Sequence, residues 1–178
     1  DENLINNSEI IYLEGYLVSS DPCFETSKKI IKIGRTRDVK ISISLSDPNI
    51  VKAFKSRLES WMTVPIDFLF CNFEEAKSFC ESEEIESIKD SLLNVAKNIF
   101  ITDGSNGAFV ITKNFAKKID GFPAKAIDTN GAGDMFAGGV LNLIAKEKTL
   151  EEAAKFGCFL ASKGVETIGP RLRQEDYL

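Results

Sequence analysis

The chain has 178 residues, 43% of them apolar and 28% charged, with 22 Lys and Arg against 27 Asp and Glu and a net charge of −5. That balance is ordinary for a globular domain, and the absence of a basic block argues against nucleic acid or an anionic membrane surface as a partner. There is no histidine, which excludes every Ser-His or Cys-His mechanism, makes zinc a poor fit, and leaves carboxylates, Lys or Tyr as general bases.

No apolar run approaches the ~20 residues of a membrane helix. Cys23, Cys71, Cys80 and Cys158 show no C-x-x-C spacing, so reduced thiols in a cytoplasmic protein are expected. The sequence opens at Asp1 without Met and enters a strand within ten residues, so a piece of a longer protein is expected.

In chain order, "IIYLE" (residues 10–14) is rich in β-formers and reads as a strand. "SSDPCFETSKKIIKIG" carries helix-entry signals at Ser20, Asp21 and Pro22, with Gly34 expected to stop the helix. "VKISISL" (39–45) alternates as a strand. Asp47 and Pro48 then open a helix that spaces Ile50, Val51, Phe54 and Leu58 along one face. "IDFLF" (66–70) is a continuous apolar run, as in a strand buried on both faces, and meets a helix at Asn72.

Further on, "IESIKDSLLNVA" reads as a helix, and "NIFITDG" and "GAFVITK" as strands. Helices follow over roughly 132–145 and 150–164. Strand and helix alternate throughout, so a single α/β domain over 1–178 with a largely parallel sheet is expected. Ala153, Ala154, Phe156 and Phe159 fit the core face of the last helix.

In such sheets, ligands sit where the carboxyl ends of strands pass into helices. Three junctions there carry unusual residues. In "DTNGAGD" (128–134), glycines let amides converge at a helix entrance, which makes an anion hole for a phosphate, with the Asp134 carboxylate beside it. A plain Gly-rich turn with Asp134 serving the helix dipole would also account for a bare G-x-G-D. Six specified positions in D-T-x-G-A-G-D make chance on the order of one in a hundred thousand, which favours the site.

The second junction, Asn72-Phe73-Glu74-Glu75, is by itself explained as a cap with dipole-complementing acids. The third, Thr102-Asp103-Gly104-Ser105-Asn106-Gly107, is by itself a hairpin turn with obligatory glycines.

Together, "NFEE", "TDGSNG" and "DTNGAGD" in this order resemble the PfkB carbohydrate and nucleoside kinases, the ribokinase-like family. Asn130 and the tail "GPRL" look most like its adenosine-kinase-related branch. The resemblance covers essentially the whole chain and implies a three-layer α/β/α fold. It also implies that the chain lacks an N-terminal half carrying the first strands, the acceptor pocket and a β lid, and that it is inactive alone.

The resemblance assigns the catalytic base to Asp134 and the anion hole to Gly131, Ala132 and Gly133. Contacts along ATP fall to Thr102, Gly104, Gly107 and Asn72, and Mg²⁺ handling through water to Glu75. A monovalent cation such as K⁺ and a homodimer through the lid accompany many members. The implied activity is ATP-dependent phosphorylation of a nucleoside or of a sugar such as ribose or fructose. A non-catalytic nucleotide-binding regulatory domain and a purely structural module are the alternatives.

Overall fold

The computed structural model describes residues 2–170. Six strands hydrogen-bond in the order β1-β2-β3-β4-β5-β6: Ile10–Glu14, Lys40–Ser44, Ile66–Asn72, Ala96–Thr102, Ala108–Thr112 and Ala116–Ile119. β1, β2 and β3 are parallel, with Ile11 opposite Ile41 and Ser42 opposite Phe68. The helices are α1 (Glu2–Asn6), α2 (Asp21–Thr36), α3 (Pro48–Trp61), α4 (Phe73–Cys80), α5 (Ile85–Val95), α6 (Ala132–Ala145) and α7 (Leu150–Gly164). The expected α/β class is thus present. None of the described helices is long and apolar enough to cross a membrane.

The chain divides into two compact units. The first holds residues up to Ile101 together with Ile111–Phe115, and the second holds Thr102–Val110 together with residues from Ala116 onward.

In the first unit, each helix between parallel strands is started by a local device. Asp47 accepts from the Asn49 and Ile50 amides at 2.7 and 3.3 Å, with Pro48 behind it preset for the first turn. Ile41, Ile43, Leu45, Ile66 and Leu69 form the strand core, and Val51, Leu58 and Trp61 are the buried face of α3. Phe54 leaves that face, because its non-helical φ of −129° kinks the helix.

Gly34 does not stop α2, which runs on to Thr36. The residue is buried, and a Cβ there would lie 2.6 Å from Ile11 Cδ1 and 3.0 Å from Ile41 Cδ1. It is glycine so that the helix can approach the sheet, a reason that no local pattern carries.

In the second unit, α6 and α7 pack with little between their backbones. A Cβ on Gly157 would meet the Phe136 carbonyl oxygen at 2.8 Å, and one on Gly139 would meet Gly157 Cα at 3.1 Å. Thr149 and Glu152 close a capping box that starts α7. Ala153 and Ala154 are buried as expected. Phe159 is not: it is 38% exposed and stands edge-on to Phe122, with ring centroids 5.6 Å apart.

Candidate active site

The second unit holds a cleft of about 260 Å³. One side comes from the turn after β4, with Thr102, Gly104, Ser105 and Gly107. Another is the segment after β6, with Gly121, Phe122, Ala124 and Ala126. The remainder is Thr129 with the first turns of α6 (Ala132, Gly133, Phe136) and the end of α7 (Cys158, Ala161, Ser162, Val165). No charged side chain lies among these residues, so the walls suit a flat apolar ring, while phosphate would meet backbone amides.

The turn after β4 is more than a hairpin loop. Gly104–Asn106 forms a short 3-10 turn, and the Asp103 amide donates to the Gly107 carbonyl at 2.8 Å. Gly107 has φ +100°, and a Cβ on it would fall 2.0 Å from the Ile119 carbonyl oxygen. Both facts demand glycine.

The motif at α6 is held by the segment after α7. The Ile127 amide donates to the Val165 carbonyl at 2.7 Å, and Asp128 accepts from the Asn130 and Gly169 amides, each at 3.0 Å. Those two bonds hold the Asp128 carboxyl below the usual carboxylate range. Gly131 caps the helix in the left-handed region at φ +75°, and a Cβ there would fall 2.6 Å from the Pro170 carbonyl oxygen. The first helical bond runs from the Met135 amide to the Gly131 carbonyl.

The amides of residues 131–134 therefore precede any intrahelical partner and crown the positive end of the dipole. Of the three expected anion-hole donors, Ala132 gives its amide to the Thr129 carbonyl at 3.2 Å. Asp134 stands exposed in the first turn.

Asn72 and Glu75 belong to the first unit and pair with each other. Asn72 Oδ1 accepts from the Glu75 amide at 2.8 Å, while Glu75 Oε1 accepts from Asn72 Nδ2 at 2.7 Å and Oε2 from the Asn72 amide at 3.1 Å. The capping box is complete, so the helix-start reading of these residues holds as geometry. Glu75 is only 6% exposed, and burial pushes its carboxyl up to about 7, against the pull of the Asn72 amide and with the nearby charges of Asp47 and Glu14.

Each Glu75 oxygen accepts one bond and keeps a lone pair, so a water-mediated contact to Mg²⁺ fits the donor set. No group of three or more Cys, Asp or Glu among the described residues is arranged to hold a metal directly.

The structure thus brings Thr102, Gly104, Gly107, Ala132 and Gly133 to one cleft, with Gly131 capping the helix that borders it. Sequence reading missed Phe122, Ala124, Ala126 and Val165, which carry no motif; only the stretch around Ala161 and Ser162 lay in a region expected near a nucleotide. Of the "GPRL" tail, Arg171 and Leu172 lie outside the described residues.

Residues 1–176 match the family model described as pfkB family carbohydrate kinase. Adenosine kinase 2 of Arabidopsis thaliana is 30% identical over 181 residues, covering 93% of this chain and 52% of the relative. A fructokinase of Solanum tuberosum is 24% identical over 164 residues, covering 88% of this chain and 50% of the relative. The crystal structure of adenosine kinase from Sinorhizobium meliloti superposes with a TM-score of 0.92 at 25% identity, covering 97% of this chain and 53% of that one. The chain therefore has the ribokinase-like fold and spans about half the length of these relatives. It belongs to the pfkB family of carbohydrate kinases.

Proposed function

We propose that the protein carrying this chain transfers the γ-phosphoryl group of ATP to a hydroxyl of a nucleoside or sugar. The observation that carries the reading is the Gly131-capped start of α6, bordering the cleft and placing Asp134 in its first turn. ATP lies with its base between the small-residue walls and its phosphates along Thr102, Gly104 and Gly107 towards the Gly131 and Gly133 amides. Asn72 and Glu75 act on the nucleotide's metal through water. Mg²⁺, when bound, neutralises charge on the phosphate oxygens.

Asp134 takes the proton of the acceptor hydroxyl as its oxygen bonds to the γ-phosphorus. The bond from that phosphorus to the β-bridging oxygen breaks, and ADP leaves. The amides at the helix start stabilise the transferring oxygens without reorganising. An adenosine-like acceptor leads, because the adenosine kinase relatives span nearly the whole chain. The fructokinase relative keeps hexoses in the comparison.

The test is ADP release from Mg-ATP by the complete gene product with adenosine, inosine, ribose and fructose in parallel, with Asp134→Asn as control. Turnover with one acceptor, reduced by at least about a hundredfold in the control while ATP affinity holds, is expected. ATP binding with no ADP formed from any acceptor would favour the regulatory alternative. No ATP binding would defeat both.

A further inference from the structure

Two glycines of α6 have no reason within the described structure. Gly133 and Gly138 have no positive φ, and a Cβ built on either meets no atom within 4 Å among the described residues. Gly139, their neighbour, is accounted for by its contact with α7. Glycine inside a helix is among the least favourable choices, because the chain loses most freedom there and gains no side-chain contact. Gly133 belongs to the amide crown already described. Gly138 does not.

Gly138 and Asp134 are both exposed and lie one turn apart on the same face of α6. Side chains on a helix lean towards its N-terminus and cover the preceding turn. Any group at position 138 would therefore lean over the Asp134 carboxylate, where an acceptor hydroxyl must sit to lose its proton.

We propose that Gly138 is a specificity-determining position: its missing side chain keeps open the space in which the furanose or pyranose ring of the acceptor lies against α6 beside Asp134. The inference rests on the kinase reading above and names where the acceptor ring touches this chain. A substituent at 138 obstructs the acceptor and leaves the nucleotide cleft untouched, since Gly138 is not among the cleft's lining residues.

The experiment compares the complete gene product with its Gly138→Ala and Gly138→Leu variants, using adenosine and fructose as acceptors. Three readouts are taken: Tm, KM for ATP and kcat/KM for the acceptor. Both variants should melt higher by roughly 1–3 °C, because a poor helix former has been replaced. KM for ATP should stay unchanged. Acceptor kcat/KM should fall in order of size, by at least about tenfold for Gly138→Leu. Equal acceptor kcat/KM in all three proteins would overturn the proposal. So would a lowered Tm, which would mean that a chain segment fills the space instead. A parent protein without turnover on any acceptor would defeat the kinase reading itself, and this inference with it.

Discussion

Asp128 Oδ2 accepts a hydrogen bond from the Gly169 amide at 3.0 Å, joining positions 41 residues apart, while Oδ1 of the same carboxylate holds the Asn130 amide. One side chain thus ties the loop before α6 to the segment after α7. Its folded pKa lies below the ordinary carboxylate value near 3.9, so the tie is fully present above that value and is lost as pH falls through the lowered one. In Asp128→Ala, the Asn130 and Gly169 amides should exchange with solvent faster at neutral pH, and ATP binding should weaken. Hydrogen exchange by NMR reads the first, and unchanged protection at both amides would refute the tie.

Glu75 makes the opposite prediction. Its carboxyl is raised from about 4.5 to about 7, so the folded state binds a proton that the unfolded chain has released. Stability is greatest below the unfolded value and declines as pH rises towards about 7. Glu75→Gln should flatten this slope, removing a decline on the order of 1–3 kcal/mol between pH 5 and pH 8. Denaturant titrations at several pH values test it, and an unaltered slope would place the titrating group elsewhere.

Gly104 and Gly107 separate backbone conformation from space. Both have positive φ, +52° and +100°, but only Gly107 would drive a Cβ into backbone, 2.0 Å from the Ile119 carbonyl oxygen. Gly104→Ala should cost roughly 1 kcal/mol, the strain of a left-handed residue. Gly107→Ala should cost about 3 kcal/mol or more and disturb the cleft wall. Thermal melts of the pair decide, and equal losses would contradict the geometry.

Gly34→Ala sets two effects against each other. Alanine improves the helix by up to about 1 kcal/mol, while its methyl would press on Ile11 and Ile41, an overpacking worth about 1–3 kcal/mol. The crowding should win, giving a net loss of roughly 1 kcal/mol in the denaturant midpoint analysis. A more stable variant would show that the two isoleucines yield freely.

The elements were legible wherever their cause is local. Asp47 with Pro48, and Asn72 with Glu75, begin helices through bonds spanning two or three residues, and the periodicity of 132–145 and 150–164 matches α6 and α7. The short strands β1 to β5 follow from β-branched and aromatic runs bounded by turn residues. The 3-10 turn at Gly15–Ser19 and strand β6 carry no such pattern and went unread.

By itself, then, the sequence determined the α/β alternation, the glycine-framed helix start and the identity of the carboxylate at its first turn, since each depends on neighbours along the chain. Tertiary structure alone decided that Gly34 lies inside a helix, that Phe159 leaves the core for the side of Phe122, and that Ala132 turns its amide onto Thr129. It also decided that Phe122, Ala126 and Val165 line one cleft. These outcomes rest on close approach between segments tens of residues apart, or on the exact set of a loop, and neither leaves a mark in local periodicity.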